Sequence, residues 1–526
     1  MKRFLNLSVV LLVFLVFSCS SSNSSNDSDI LPDEDIDTQN SETKDDDSDT
    51  QEAEIIDDYE ETLEQDSNSD TEEDFDYEDD ETENDEEYAE DLDLTNSCED
   101  YHKEIPDEPL FDEPPSIFDR YKRCYDEIPD DPYEGLFASS KLESQIKQSL
   151  GYDDDYELTE EDLEKVKEIT LSVKDIRGVE KLVNLESVTI STGKIYDYTP
   201  LSKLKKLKDL VIDASSMTCL DASFSLLTSL ETLEIEDTQL KDVSPIEQLV
   251  NLKSLELSCN QIELLPENIG NLQKLEWLAF DYNNIENLEP IQTLTNLREL
   301  FFNYNYIRDI SPIRNLVNLT RLGGNNNRII DISPLTNLVN LTYYVGLTYN
   351  QIEELPKGIT NLKKLQTLEL NFNNISSLPD LKGLDAIYTV GLSYNNLKNE
   401  DVLKFDELGS VKFLYVSFNK ITKVPILKNV KSLYELYLVG NKISDLSGFA
   451  DNESFPSLKR LDVGSNKIEN VEAFRNRKGL SSLWVDKNCI KDFSPLEELK
   501  ERGTYVGGMN EQLESCERTI TFVEGD

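Results

Sequence analysis

A repeat solenoid of the α/β type, entered through an acidic N-terminal segment, is the architecture that this 526-residue sequence predicts. Three observations lead there. An apolar pattern returns every 22 to 25 residues, an asparagine occupies one fixed place in it, and the negative charge is concentrated ahead of it.

The pattern restarts at Leu185, Leu207, Leu230, Leu252, Leu275, Leu297, Leu319, Thr342, Leu365, Ile387, Val411, Leu433, Leu458 and Leu480. A period in this range means units that cannot bury their apolar face alone and must stack on their neighbours. In the unit that begins at Leu297, apolar residues fill the first, fourth, sixth and eleventh places (Leu297, Leu300, Phe302, Ile307) and Asn305 the ninth. Eleven consecutive units have asparagine at that ninth place, from Asn260 and Asn283 through Asn373 to Asn488. An amide both donates and accepts, so it suits a turn where backbone groups go inside and need partners. These asparagines are expected to be structural. An irregular unit is expected to begin near Val166.

This unit resembles the leucine-rich repeat. The resemblance implies a horseshoe in which one short strand per repeat builds a parallel concave β-sheet and the return path forms the convex side. The return paths Ser244-Pro245-Ile246, Ser311-Pro312-Ile313, Ser333-Pro334-Leu335 and Ser494-Pro495-Leu496 resemble those of internalin-like bacterial proteins with 22-residue repeats, while Leu265-Pro266 and Leu355-Pro356 look like a 23-residue subclass. Proline fits because such a segment needs no regular ladder of donors. The stack is placed at residues 165–503. Its open ends need caps. Leu142, Ile146 and Leu150 recur at helical spacing before Gly151, and Thr159-Glu160-Glu161-Asp162 reads as a helix start, so residues 137–164 are taken as a short helical N-terminal cap. Residues 504–526 are taken as a C-terminal cap that adds one last strand and a closing loop.

The formal net charge is −57, and residues 20–97 supply −34 of it, with 35 Asp and Glu against Lys44 alone. With few large apolar residues and no glycine, residues 19–97 are expected to form a disordered acidic tether. The anionic balance argues against nucleic acid as a partner, because phosphate contacts need clustered Lys and Arg. Ahead of the tether, Lys2 and Arg3 precede an apolar run from Phe4 to Phe17, which marks residues 1–18 as a signal peptide. The sequence Val16-Phe17-Ser18-Cys19 resembles the lipobox of bacterial lipoproteins. That resemblance implies lipidation of Cys19, export, and anchoring to the cell envelope at the outer membrane or cell surface. The alternative is an ordinary signal peptide beside an incidental Cys19.

Export permits disulfides. Cys98 and Cys124 lie in a Pro-rich approach segment, residues 98–136, and Cys489 and Cys516 flank the C-terminal end of the stack, so the economical pairings are Cys98 with Cys124 and Cys489 with Cys516. Cys219 and Cys259 stand two repeats apart at different repeat places, beyond disulfide reach, and are expected to stay thiols. His102, the one histidine, lies outside the repeats with no nucleophile in a rigid setting near it, and no His and Cys cluster suggests zinc. The Asp-rich run Asp33 to Asp37 lacks the glycine turn of a specific calcium loop. No enzymatic activity, metal or cofactor is expected.

In the leucine-rich-repeat fold the third, fifth and seventh places project from the concave sheet, because strand side chains alternate faces. Trp277, Phe301, Tyr344, Phe413, Tyr415, Tyr437 and Trp484 occupy such places and are the candidate ligand-binding residues. Repeated exposed rings mark interaction sites. Tyr282, Tyr304, Tyr349, Phe372, Tyr394 and Phe418 fall at the eighth place, where they either stack on one another along the edge or join the site. Asp209, Asp213, Glu234, Glu236 and Glu256 on the same places would favour a basic ligand, or simply form a solvated acidic face. A protein ligand on the concave face is the leading expectation. A glycan stacked on the rings, or an envelope role without a discrete ligand, are the alternatives.

Overall fold

A computed structural model describes residues 136–516 apart from 192–194, 196, 214–216 and 219. Cys19, Cys98, Cys124, Cys219, His102 and the acidic tether lie outside the described residues.

The described residues form one open solenoid whose strands make a single parallel sheet. Its first half comprises β1 (Glu168–Leu171), β2 (Ser187–Ile190), β3 (Asp209–Asp213), β4 (Thr232–Glu236), β5 (Ser254–Glu256), β6 (Trp277–Ala279), β7 (Glu299–Phe301) and β8 (Arg321–Gly323). The second half comprises β9 (Tyr344–Gly346), β10 (Thr367–Glu369), β11 (Thr389–Gly391), β12 (Phe413–Tyr415), β13 (Glu435–Tyr437), β14 (Arg460–Asp462), β15 (Ser482–Trp484) and β16 (Tyr505–Gly507). Sheet order equals chain order, as a one-strand repeat demands. The first strand belongs to the irregular repeat expected near Val166, and the last is the strand expected of the C-terminal cap.

Register keeps each repeat place in line with the same place next door: Leu255 pairs with Leu278, Leu278 with Leu300, and Leu300 with Leu322. First-, fourth-, sixth- and eleventh-place side chains such as Leu297, Leu300, Phe302 and Ile307 are fully buried and run the length of one continuous core. One repeat start needs correction. The strand keeps the frame that starts at Thr342, with Tyr344 opposite Arg321 and Val345 opposite Leu322, but the buried first-place side chain is Leu341, four positions rather than three ahead of buried Val345. The N–H groups of Thr342 and Tyr343 both donate to the Thr320 carbonyl, as Thr320 and Arg321 do to that of Arg298 one repeat earlier, so the extra residue falls between this shared contact and Val345.

Return paths such as Ser244–Gln248, Ser311–Asn315 and Ser333–Asn337 are single 3-10 turns with proline at the second residue, whereas the one that begins at Ser494 is an α-helix, Ser494–Glu501. An aspartate two residues ahead caps each turn: Asp242, Asp309 and Asp331 accept from the N–H of Ser244, Ser311 and Ser333 at 2.7 to 2.8 Å. At the N-terminal end, α1 (Ser140–Ser149) is capped by Ser139 and buries Leu142 and Ile146. It stops at Gly151, whose φ of 73° is left-handed. The next helix, α2 (Glu160–Leu163), starts at a capping box between Thr159 and Asp162. Hydrogen bonds from Thr159, Lys165 and Tyr152 hold the Asp162 carboxyl well below the usual carboxylate range. At the other end the Cys489–Cys516 disulfide is present, with Cα atoms 5.6 Å apart.

Candidate functional site

The site is built on the parallel sheet and on the asparagine-supported edge where its strands exit. Each ninth-place asparagine is buried and ties two repeats together. The Nδ2 group of Asn283 donates to the Leu257 carbonyl of the preceding repeat and to its own Phe280 and Asp281 carbonyls, while Oδ1 accepts from the Ile262 N–H at 2.9 Å. Asn305, Asn327, Asn350 and Asn373 repeat the arrangement. These side chains are structural, as their chemistry predicts.

The eighth place explains itself one residue earlier. Tyr282, Tyr304, Asn326, Tyr349, Phe372, Tyr394 and Phe418 all have φ between 53° and 56°, a left-handed conformation that side chains other than glycine seldom adopt. The cost is offset in two ways. Their N–H groups continue the parallel ladder, as when Tyr282 donates to the Asn303 carbonyl and Tyr394 to that of Ser417. Their rings also stack: Tyr282 on Tyr304 at 4.2 Å, then Tyr349, Phe372, Tyr394 and Phe418 in one column with centroids 4.0 to 4.2 Å apart and planes within 13°. Asn326 divides the two stacks. Gly440 ends the second, since a Cβ there would lie 2.4 Å from the Phe418 ring. Stacking is thus what these six rings do.

The seventh place also carries structure. Asp281 accepts from the Asn303 N–H at 2.6 Å, Asn303 from that of Asn325, and Asn325 from that of Thr348, so side chains prolong the sheet by one hydrogen-bonded column.

The third and fifth places hold the candidate residues. Trp277 is exposed, and Phe301, Tyr344, Phe413, Tyr415, Tyr437 and Trp484 are half-buried. They fall into separate groups along the sheet. Trp277 and Phe301 pack at 5.4 Å, Tyr415 stacks on Tyr437 at 5.1 Å, and Trp484 lies near the C-terminal end against Tyr505 at 5.9 Å. Phe413 packs edge-on against Tyr388 at 5.2 Å and Tyr434 at 6.5 Å. Tyr388, Tyr434 and the exposed Tyr343 were not singled out in the sequence because they occupy the second place, at the entry rim of the strand. Their signal lies in the sequence of the rim, which alternates charge at Glu231, Lys253, Glu276 and Arg298 and, after Thr320, sets a tyrosine at every other repeat: Tyr343, Tyr388 and Tyr434. Lys412 sits 5.0 Å over the Tyr388 ring, and Arg321 4.9 Å over that of Tyr343.

Between the rings lie carboxylates. Glu299 pairs with Arg321 at 3.3 Å, and Glu435 with Arg460 at 2.9 Å. Glu256, Asp281, Glu369 and Asp462 face no cation in any ion pair among the described residues. Burial pushes the Asp281 carboxyl up to about 6 against the opposing hydrogen bonds from Asn303, and pushes Glu369 up to about 7. Asp462 is raised to about 6 by burial and then by nearby Asp486, and Glu256 is raised mainly by burial.

With that geometry in place, the family model "Leucine Rich repeats (2 copies)" matches residues 228–271, 273–315 and 409–451. The matched segments are leucine-rich repeats, and the solenoid has the leucine-rich-repeat fold. No curated protein matches it significantly in sequence. Among solved structures, a leucine-rich-repeat protein of Leptospira interrogans is 25% identical with a TM-score of 0.58, over 66% of this chain and 97% of that one. An internalin of Listeria monocytogenes, InlF, is 25% identical with a TM-score of 0.51, over 70% and 95%. A plant peptide hormone receptor solved in complex with RGF2 shares the leucine-rich-repeat fold at 20% identity and a TM-score of 0.52, over 65% of each chain.

Proposed function

We propose that this leucine-rich-repeat protein is an exported lipoprotein that binds a protein ligand on its strand-lined concave face, in the stretch from Trp277 to Tyr437. The observation that carries the reading is the set of ring groups on β6, β7, β9, β12 and β13, held on a rigid parallel sheet whose own backbone groups are already paired. Rings on a preordered scaffold offer contact area at little entropic cost. Structural similarity to an internalin and to a receptor solved with its hormone supports binding, and supports protein as the ligand class. Lipid anchoring at Cys19, and placement at the outer membrane or cell surface, rest on the basic residues, apolar run and Ser18-Cys19 at the N-terminus.

Two experiments test the two halves. Cys19→Ala should release the protein from the membrane fraction; fatty-acid label absent from the wild type would remove the anchor. A photo-cross-linking residue at Phe301 or Tyr415 should capture a protein partner on intact cells, while the same group at exposed Val339, on the flank of a return path, should not. Capture from Val339 alone would move the site off the sheet. A glycan is the second reading, since exposed Trp277 beside Phe301 resembles a sugar-stacking surface. Polysaccharide that competes away the captured partner would favour it.

A further inference from the structure

Across the middle of the sheet, the fifth-place residues in successive strands are Phe301, Gly323, Gly346, Glu369, Gly391 and Tyr415. A single carboxylate therefore stands between glycines, with aromatic residues at both ends of the row. The glycines are required by what leans over them. A Cβ on Gly323 would lie 2.7 Å from the Phe301 ring, and one on Gly346 or Gly391 would run into the Tyr344 hydroxyl or the Glu369 carboxylate. Tyr344 turns toward β8, where Asn325 Nδ2 donates to its hydroxyl at 3.4 Å. Glu369 turns the other way, over Gly391 and toward the strand that bears Tyr415.

We propose that Glu369 anchors a cation subsite, where a lysine or arginine side chain of the protein ligand enters between the rings of Tyr344 and Tyr415 and pairs with this carboxylate. The inference rests on the concave-face reading and adds the chemistry of the ligand to it. The only donor to Glu369 among the described residues is the neutral Asn371 Nδ2, at 2.7 Å. Both guanidiniums on this face, Arg321 and Arg460, are held by Glu299 and Glu435. The face thus contains a desolvated carboxyl group with no countercharge among the described residues. Three inter-strand steps separate the strands of Tyr344 and Tyr415, roughly 14 Å, which admits an extended basic side chain. A charged hydrogen bond and contact with an aromatic ring are the two interactions a guanidinium or ammonium uses best. Burial keeps Glu369 partly protonated near neutrality, so an entering cation displaces a proton and binding strengthens as pH rises.

The test selects binders from a displayed library of short random peptides against the full chain and against Glu369→Gln. The amide can still accept from Asn371, and a melting temperature no lower than that of the wild type confirms an intact fold. The wild type should enrich a lysine or arginine at one fixed position. Replacing it with norleucine or citrulline should weaken binding by about tenfold or more on the wild type and hardly at all on Glu369→Gln. Basic peptides enriched equally by both chains would be attached elsewhere, on the acidic N-terminal segment for example, and would overturn the subsite. Peptides without a basic residue that need Phe301 and Tyr415 but not Glu369 would also overturn it while leaving the concave-face reading standing. A library that yields no binder counts against the subsite as well.

Discussion

Glu369 shows how a residue can be read from sequence as one more surface charge and prove otherwise. Alternation puts it on the concave face, but its desolvation depends on packing between β9 and β11, which no local pattern encodes. Because folding raises its pKa from 4.5 to about 7, the folded chain holds more protons than the unfolded chain between those values, and stability falls as pH rises through that window. Glu369→Gln should flatten this part of the stability profile and stabilise the repeats above neutrality by roughly 1 to 3 kcal/mol. Chemical denaturation at several pH values reads this out, and a profile unchanged by the substitution would show that the carboxyl is not desolvated. The ninth-place asparagines are the contrasting case. Their role followed from amide chemistry alone because their partners are backbone groups of the repeat itself and of its neighbour.

At the scale of the element, the strand and its exit turn were legible in different degrees. Strand places followed from alternation, and the failure at Thr342 came from one inserted residue that sets buried Leu341 one position further from Val345. The left-handed eighth place was not legible, since tyrosine and phenylalanine are poor choices for positive φ and earn the place only by stacking on the next repeat. Gly440 marks where that stack stops. Gly440→Ala should therefore be destabilising by about 1 to 3 kcal/mol, because the new Cβ meets the Phe418 ring at a backbone φ of 68°. A melting temperature equal to the wild type would mean that the ring column yields easily and contributes little. The separation of the candidate rings into groups was equally hidden: sequence places Trp277 and Trp484 on one face, whereas the register sets eight strands between β6 and β15.

For the whole molecule, stability is a sum of repeats and interfaces, so the ends matter out of proportion to their size. The helical cap and the last strand were both visible in the sequence, from helical spacing at one end and from the segment after Gly503 with its Cys516 at the other. The Cys489–Cys516 pairing was visible for the same reason, as two cysteines flanking one closing segment. Cys516→Ser should lower stability by about 2 to 4 kcal/mol and do so at the C-terminal repeats first. Hydrogen exchange would show faster exchange in β14 to β16 with β6 to β10 unchanged; uniform loosening would contradict a local cap.

The concave-face claim is tested most directly by measuring affinity for the cross-linked partner and thermal stability on the same four variants. Exposed or half-exposed rings can be removed without stranding a buried polar group, so Trp277→Ala, Phe301→Ala and Tyr415→Ala should weaken binding with little loss of melting temperature. Asn373→Ala strands the Ile352 N–H and the carbonyls its amide serves, and should cost on the order of 1 to 3 kcal/mol of stability first. Affinity unchanged in all three ring variants would contradict binding through the concave sheet and place the contact on another surface of the chain.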